Sequence, residues 1–223
     1  FLYDRTLDGM ISLFPQIPDE EIEQIIKEER PFVSFGKNIK KYNIPSVTID
    51  NRLGAYTAAL HLCSHGYTKI AFIGGEPAEH LPDRIERLEG YKEALEQCGH
   101  KVIPEYIKTA LSETTANVFI SLMRLPEPPE AIFCAYDELA LEVIRTAKDI
   151  GIKIPEQVKL VGFDDIHICQ YSTPTLTTVR QPTYNIGSVC CEKLINIMSK
   201  GNNISNSNLA INPELIIRKS CGC

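Results

Sequence analysis

Short apolar runs alternate with amphipathic segments along most of the chain. Apolar runs bounded by turn residues predict buried strands, whereas apolar positions spaced three and four residues apart predict helices. The predicted strands cover residues 7–14, 31–35, 46–49, 69–74, 131–135, 157–162, 175–179 and 209–218. The predicted helices cover residues 19–29, 51–65, 83–98, 113–125, 137–150 and 184–199.

Regular alternation of strands and helices is typical of α/β folds in which helices cover a parallel sheet. We expect two Rossmann-like lobes joined by a three-stranded hinge, an architecture that closes on a ligand. The predicted N-terminal lobe comprises residues 1–66 and 183–205, and the C-terminal lobe residues 69–180 and 208–223. The hinge passages are predicted near residues 66–68, 177–183 and 205–208.

Composition excludes several classes of protein. The chain has 223 residues, 43% of them hydrophobic, which is enough for real cores. It contains no apolar run of about 18 residues and no signal-peptide pattern at its start, so we expect a soluble, cytoplasmic chain without membrane contact. A formal net charge of −6 argues against a surface that binds nucleic-acid phosphates, so any DNA contact must come from elsewhere.

The eight cysteines do not form a recognisable disulfide framework. Cys63, Cys98, Cys134 and Cys169 are scattered through apolar or helical segments, which predicts buried thiols in a reducing compartment. Cys190 and Cys191 are adjacent, too close for an ordinary bridge or the usual metal pair. The pair Cys221 and Cys223 could bind a metal with other ligands, but a solvent-exposed tail is the simpler interpretation. We expect neither metal nor cofactor.

Two acidic residues stand where the apolar strand at 157–162 ends. Asp164 and Asp165 follow this strand directly, at the sheet edge where open α/β folds bind ligands. Because side chains alternate along a strand, we expect one carboxylate to face the ligand and the other to hold the following turn. We assign the ligand contact to Asp164, although both could simply bond local backbone.

Eight segments taken together resemble the effector-binding core of LacI/GalR-type bacterial repressors, and their order along the chain matches that family. They are residues 8–11, 50–55, 65–75, 87–91, 131–140, 161–165, 174–182 and 213–220. The resemblance implies a fold like that of periplasmic sugar-binding proteins, in which two lobes enclose a small molecule. It also implies a homodimer that contacts operator DNA through a separate N-terminal headpiece.

The resemblance begins at the third strand of the family's first lobe. The first two strand–helix units of that lobe, and the headpiece, have no counterpart in these residues. We therefore expect an incomplete N-terminal lobe, as in a fragment or in a domain completed by a partner.

Several residues are candidates for effector contacts. The guanidinium of Arg87 suits hydroxyls or a carboxylate, and the resemblance implies that it is the family's effector arginine. Asp137 begins a helix, so its carboxylate either caps that helix or binds ligand. Tyr136 replaces an asparagine common in the family and could stack on a sugar ring. By resemblance, Gln181 contacts ligand beside the hinge, with Tyr184 near it.

Three further candidates lie in the predicted N-terminal lobe. Asp50 and Asn51 end a strand and open a helix, so for both residues capping and ligand contact are about equally expected. Phe14 ends the first predicted strand and could form an apolar wall of the site or belong to the core.

An enzyme is not indicated. None of the five histidines stands in a catalytic motif, and phosphate-binding glycine loops are absent. Asp164 and Asp165 could hold Mg²⁺ only with further acids that the sequence does not supply nearby.

We therefore expect a non-enzymatic sensing core that binds a sugar or sugar derivative in the interlobe cleft and alters DNA binding by a headpiece. A sensor with another signalling output and a transport-type solute-binding protein are the alternatives.

Overall fold

A computed structural model describes residues 7–13, 17–36, 42, 44–78, 81–110, 114–200 and 208–223. The chain divides into two compact units. Unit 1 comprises Phe1–Asp50 and Pro182–Asn212, and unit 2 comprises Asn51–Gln181 and Pro213–Cys223. The chain thus passes between the units three times.

Unit 1 contains a four-stranded parallel sheet of order β1-β2-β3-β9. Its strands are β1 (Met10–Ser12), β2 (Phe32–Phe35), β3 (Ser46–Ile49) and β9 (Leu209–Ile211). Its helices are α1 (Asp19–Lys27) and α6 (Thr183–Lys200). Successive residues of β2 face opposite sides, so Phe32 packs with Ile22 and Ile25 of α1, whereas Val33 packs with Ile186 of α6.

Unit 2 contains a six-stranded sheet of order β10-β8-β7-β6-β4-β5, parallel except for β10. Its strands are β4 (Ile70–Gly74), β5 (Ile107–Thr109), β6 (Ala131–Cys134), β7 (Lys159–Asp164), β8 (Thr177–Arg180) and β10 (Glu214–Ile216). Its helices are α2 (Asn51–Ser64), α3 (Pro82–Gln97), α4 (Thr115–Met123) and α5 (Asp137–Asp149).

Alternation along the buried strands also builds two cores in unit 2. Ile70 and Phe72 of β4 pack toward α2 and α3, whereas Ala71 and Ile73 pack toward α4 and α5. Buried Tyr91 of α3 donates a hydrogen bond to the carbonyl of Ile70, which ties that helix to the sheet at 2.7 Å. The predicted α/β fold with parallel-sheet lobes is therefore confirmed.

The unit boundaries differ from the predicted ones. Helix α2 belongs to unit 2 because it packs on α3, so the first passage follows Asp50 and not residues 66–68. The predicted final strand at 209–218 is wrong: it is two three-residue strands, β9 in the sheet of unit 1 and β10 in that of unit 2. Strand β5 was not predicted at all.

Candidate functional site

The parallel strands of unit 2 bring four chain segments to one edge of its sheet. Strands β4, β6, β7 and β8 are neighbours that run in the same direction, so the residues that follow them gather at their carboxyl ends. The predicted candidates Arg87, Tyr136, Asp164 and Gln181 all lie in these segments. The contacts among them define what we call the Arg87 cluster.

Arg87 lies at the centre of this cluster and is only 4% exposed. Its guanidinium carbon is 3.7 Å from the centroid of the Phe163 ring and 4.7 Å from that of Tyr136. Aromatic faces attract cations and here hold the guanidinium plane in place.

Every nitrogen of the Arg87 guanidinium has a polar neighbour. Nε donates to the side-chain oxygen of Asn51 at 3.0 Å, and Nη1 donates to the carbonyl of Ala135. Nη2 lies 3.3 Å from Oδ1 of Asp164. These contacts compensate for removing the charge from water and fix the direction of the guanidinium.

Asp164 provides the acid of the cluster. Its side chain is 19% exposed, and Oδ1 accepts a hydrogen bond from Nε2 of Gln181. Burial raises the pKa of Asp164 to about 6, although the Arg87 charge and the Gln181 hydrogen bond act in the opposite direction.

The backbone at the end of β7 is in an uncommon conformation. Asp164 has φ 121° and Asp165 has φ 54°, values that side chains with a Cβ rarely adopt. Such conformations cost free energy and persist where the surrounding contacts impose them, often at functional sites.

The two neighbouring acids have different partners. Asp165 turns away from the Arg87 cluster and accepts hydrogen bonds from Arg180 and Arg218, each at 2.7 Å. Its side chain is 8% exposed. Because each carboxylate faces arginine, the pair does not resemble a Mg²⁺ site.

Tyr136 has a partner that the sequence did not indicate. Its hydroxyl donates to Oδ2 of Asp83 at 2.6 Å, and burial together with this hydrogen bond raises its pKa. Its ring is half-buried and lies against the Arg87 guanidinium, so it supports Arg87 in this structure.

The prediction that Asp137 contacts ligand is wrong for this structure. The residue is fully buried and its two oxygens accept bonds from Thr178, the Ile166 backbone N–H and the Cys169 thiol. These bonds tie α5 to β8 and to the loop after β7. Burial raises the pKa of Asp137, against the lowering effect of these hydrogen bonds. No surface of Asp137 remains for an effector.

The remaining candidates do not lie in unit 2. Asp50 follows β3 in unit 1, where its backbone N–H donates to the carbonyl of Ile211 at 3.0 Å. Tyr184, in the first turn of α6, is 91% exposed. Phe14 lies outside the described residues.

Sequence reasoning missed two contributors to the Arg87 cluster. Phe163 stacks on the guanidinium, and Asp83 holds Tyr136. Asn51, which the sequence offers as a helix cap or a ligand contact, accepts the Nε hydrogen bond of Arg87. Phe163 directly precedes Asp164, a residue that the sequence already singles out. Asp83 carried no signal beyond its place in the first turn of α3.

A surface depression of about 890 Å³ lies elsewhere in unit 2. Its lining includes Ile144, Lys148, Pro155 and Cys223, and none of the predicted effector residues. The Arg87 cluster, in contrast, offers a buried, oriented cation and acid that can recognise a polar ligand.

Comparison with known proteins places this arrangement in a family. A family profile for the periplasmic binding protein-like domain matches residues 59–221. The chain belongs to the periplasmic binding protein-like family. The predicted resemblance to the effector-binding core of LacI-type regulators is confirmed by its relatives and by its structural neighbours.

Among curated relatives, the HTH-type transcriptional repressor CytR of Escherichia coli (strain K12) is 35% identical over 97% of the chain. The chain spans 63% of that protein, less than two thirds of its length.

Two solved LacI-family structures are similar in fold to the whole chain. The regulatory protein from Chloroflexus aggregans gives a TM-score of 0.86 at 28% identity, covering 97% of this chain and 77% of its own. The regulator from Enterococcus faecium with bound ribose gives 0.84 at 25% identity, covering 97% and 80%.

No helix within the described ranges is long and apolar enough to cross a membrane.

Proposed function

We propose that this chain is the effector-binding core of a LacI-type transcriptional regulator and that it binds a sugar or sugar derivative without chemical turnover. The observation that carries the proposal is the pairing of buried Arg87 with Asp164 at the carboxyl edge of the unit 2 sheet. The family membership and a ribose-bound neighbour support it.

The chemistry of the Arg87 cluster suits hydroxyl groups. Arginine supplies donors in a fixed plane, and an ionised Asp164 supplies acceptors, so vicinal hydroxyls can bond to both. Gln181 adds an amide that can accept or donate. The contact between Nη2 of Arg87 and Oδ1 of Asp164 is 3.3 Å long and therefore weak. An effector hydroxyl would replace this contact more readily than it would replace a short one.

The contacts that hold Arg87 reduce the conformational entropy that is lost when an effector binds. Its rotamer is already fixed by Phe163, Tyr136 and Asn51, so little further entropy is lost when an effector binds. An effector with a higher affinity for one conformation of the regulator would shift the population toward it.

DNA binding and dimer formation belong to the proposal for the whole protein. The relative CytR is longer than this chain, and it is a transcriptional repressor of the HTH type. We propose that effector binding here alters operator binding by such a segment in a homodimer.

A thermal-shift screen tests the proposal. Pentoses, hexoses, disaccharides, nucleosides and sugar phosphates are added to the purified protein, and a bound effector raises the melting temperature. We expect at least one sugar-containing compound to do so, and Arg87→Lys to abolish the shift because lysine lacks the planar fork.

The control is Arg145→Ala, which removes an exposed arginine on α5 and should leave the shift unchanged. Failure of the whole panel, or an unaltered shift in folded Arg87→Lys protein, would contradict the proposal.

A further inference from the structure

A group of metal-binding side chains lies in unit 2 outside the Arg87 cluster. We call it the His–Cys cluster; its members are His61, His65, Cys221 and Cys223. Among the residues that the structure describes, three of these four form the one group of at least three His, Cys, Asp or Glu side chains with ligand atoms close together.

Helix geometry brings the two histidines together. His61 and His65 are four residues apart, His61 in the last turn of α2 and His65 directly after it. Residues at this spacing lie on one face of a helix. Their ring centroids are 4.7 Å apart.

The turn at the end of the described chain brings the two thiols to the same place. Gly222 has φ 83°, a left-handed conformation that suits glycine. With this turn, the sulfurs of Cys221 and Cys223 are 2.9 Å apart, and both thiols are free. The predicted exposed tail is thus wrong for Cys221, which is 1% exposed.

Distances from Cys223 to the two histidines suit a shared ion. Sγ of Cys223 lies 3.4 Å from Nε2 of His61 and 3.3 Å from Nε2 of His65. In a tetrahedral site with Zn–N near 2.0 Å and Zn–S near 2.3 Å, sulfur and nitrogen ligands are about 3.5 Å apart. The ligand atoms of His61, His65 and Cys223 all lie within 4.8 Å of one another.

Zinc binding would require only a small movement of the two sulfurs. Two thiolates on one zinc ion are about 3.8 Å apart, so the sulfurs must separate by roughly 1 Å. Cys223 and His65 are exposed and can adjust, while Cys221 is held by Thr177 Oγ1 at 3.2 Å.

We propose that the His–Cys cluster binds one zinc ion. Two imidazoles and two thiolates form the four-coordinate set that structural zinc sites use, and these soft ligands disfavour magnesium and calcium. Each thiol loses its proton to solvent when it binds the ion. The two protons that leave carry the same charge as the Zn²⁺ ion that enters, so the net charge of the site does not change. The ion fastens the segment after β10 to α2.

Metal analysis of the purified protein without an affinity tag tests the site. After the protein is reduced, loaded with Zn²⁺ and dialysed against metal-free buffer to remove unbound zinc, we expect one zinc ion per chain. The double variant His65→Ala/Cys223→Ser changes two exposed ligands and should bind zinc at least about tenfold more weakly. The matched control His167→Ala/Cys191→Ser also changes one exposed histidine and one exposed cysteine, and it should retain the ion.

A second measurement uses the unaltered chain, so it does not depend on the folding of a variant. Zn²⁺ should slow alkylation of Cys223 by at least about tenfold, since a bound thiolate is a poorer nucleophile than a free one. Alkylation of Cys191, located by mass spectrometry in the same sample, should not change.

The proposal is overturned if zinc neither remains with the reduced protein nor protects Cys223. It is also overturned if the control pair loses the ion as completely as the cluster pair, or if Cys221 and Cys223 remain joined as a disulfide in reducing buffer.

Discussion

Nη2 of Arg87 lies 3.3 Å from Oδ1 of Asp164, although the two residues are 77 positions apart in the chain (164 − 87). Strand β7 ends at Asp164, and α3 follows β4, two strands away in the same sheet. A buried cation and a partly buried acid therefore meet at an edge where α/β proteins bind ligands. The remaining contacts of the site hold these two groups in place.

The pKa of Asp164 has a consequence for stability. Because burial raises this pKa from 3.8 to about 6, the folded protein binds a proton more readily than the unfolded chain between these values. The contribution of Asp164 to stability is therefore greatest below about pH 4 and declines as the pH rises through 6, by up to about 3 kcal/mol.

Urea unfolding of wild type and Asp164→Asn between about pH 4 and pH 8 measures this contribution. The free energy of unfolding of wild type minus that of the variant should fall with increasing pH. Groups that face the carboxyl, namely Arg87, Gln181, Asp137 and Glu138, are common to both proteins. A difference that is constant across this range would contradict the assignment.

Asp165 should matter more for stability than Glu214, the other carboxylate near Arg180. Asp165→Asn removes a charge that two arginines share, and breaking a buried ion pair costs about 3 kcal/mol. The control is Glu214→Gln, because that carboxylate is 72% exposed and lies 3.9 Å from Arg180. We expect the control to cost under about 0.5 kcal/mol in the same urea experiment. Equal losses in both variants would show that Asp165 is not a structural anchor.

Two helical glycines should respond oppositely to alanine. A Cβ on Gly90 of α3 would come within 2.1 Å of the Arg52 carbonyl and 2.9 Å of the Tyr56 backbone nitrogen, both on α2. A Cβ on Gly187 of α6 would meet nothing within 4 Å.

We therefore expect Gly90→Ala to destabilise the protein by about 3 kcal/mol, since backbone atoms must move. Gly187→Ala should stabilise it by about 0.5–1 kcal/mol, since alanine favours the helix. Thermal or urea unfolding of the two variants checks both signs. A Gly90→Ala protein as stable as wild type would mean that α2 and α3 are not packed this closely.

Local patterns in the sequence predict most of the elements. Three glycines that follow helices have φ between 74° and 84°, and each marks a predicted helix end: Gly66, Gly99 and Gly151. The strand Ser46–Ile49 has the predicted bounds because proline precedes it and a helix follows it. These signals act over a few residues, so one sequence is enough to read them.

Non-local pairing was harder to predict. Residues 209–218 form one apolar pattern, yet β9 pairs with β3 in one sheet and β10 with β8 in the other. Nothing local assigns three residues to either sheet. The same holds for the His–Cys cluster, where Cys223 meets histidines 158 and 162 residues earlier in the chain.

The candidate site was predictable in part for the same reason. The end of a strand identified Asp164, and the family resemblance identified Arg87 and Gln181. Burial decided against Asp137, because a carboxylate at a helix start can face either a ligand or internal donors. Only the arrangement of β8 and the loop after β7 determines whether the Asp137 carboxylate faces a ligand or internal donors.

The most direct test of the central claim is a double-mutant cycle on effector affinity, measured by isothermal titration calorimetry with a sugar from the screen. Arg87→Met keeps a side chain between the aromatic rings but removes the donors, and Asp164→Asn removes the charge. We predict that each variant lowers affinity roughly 10- to 100-fold and that the double variant loses less than the sum of the two free energies. If folded single variants bind the sugar within about twofold of wild type, Arg87 and Asp164 do not recognise the effector.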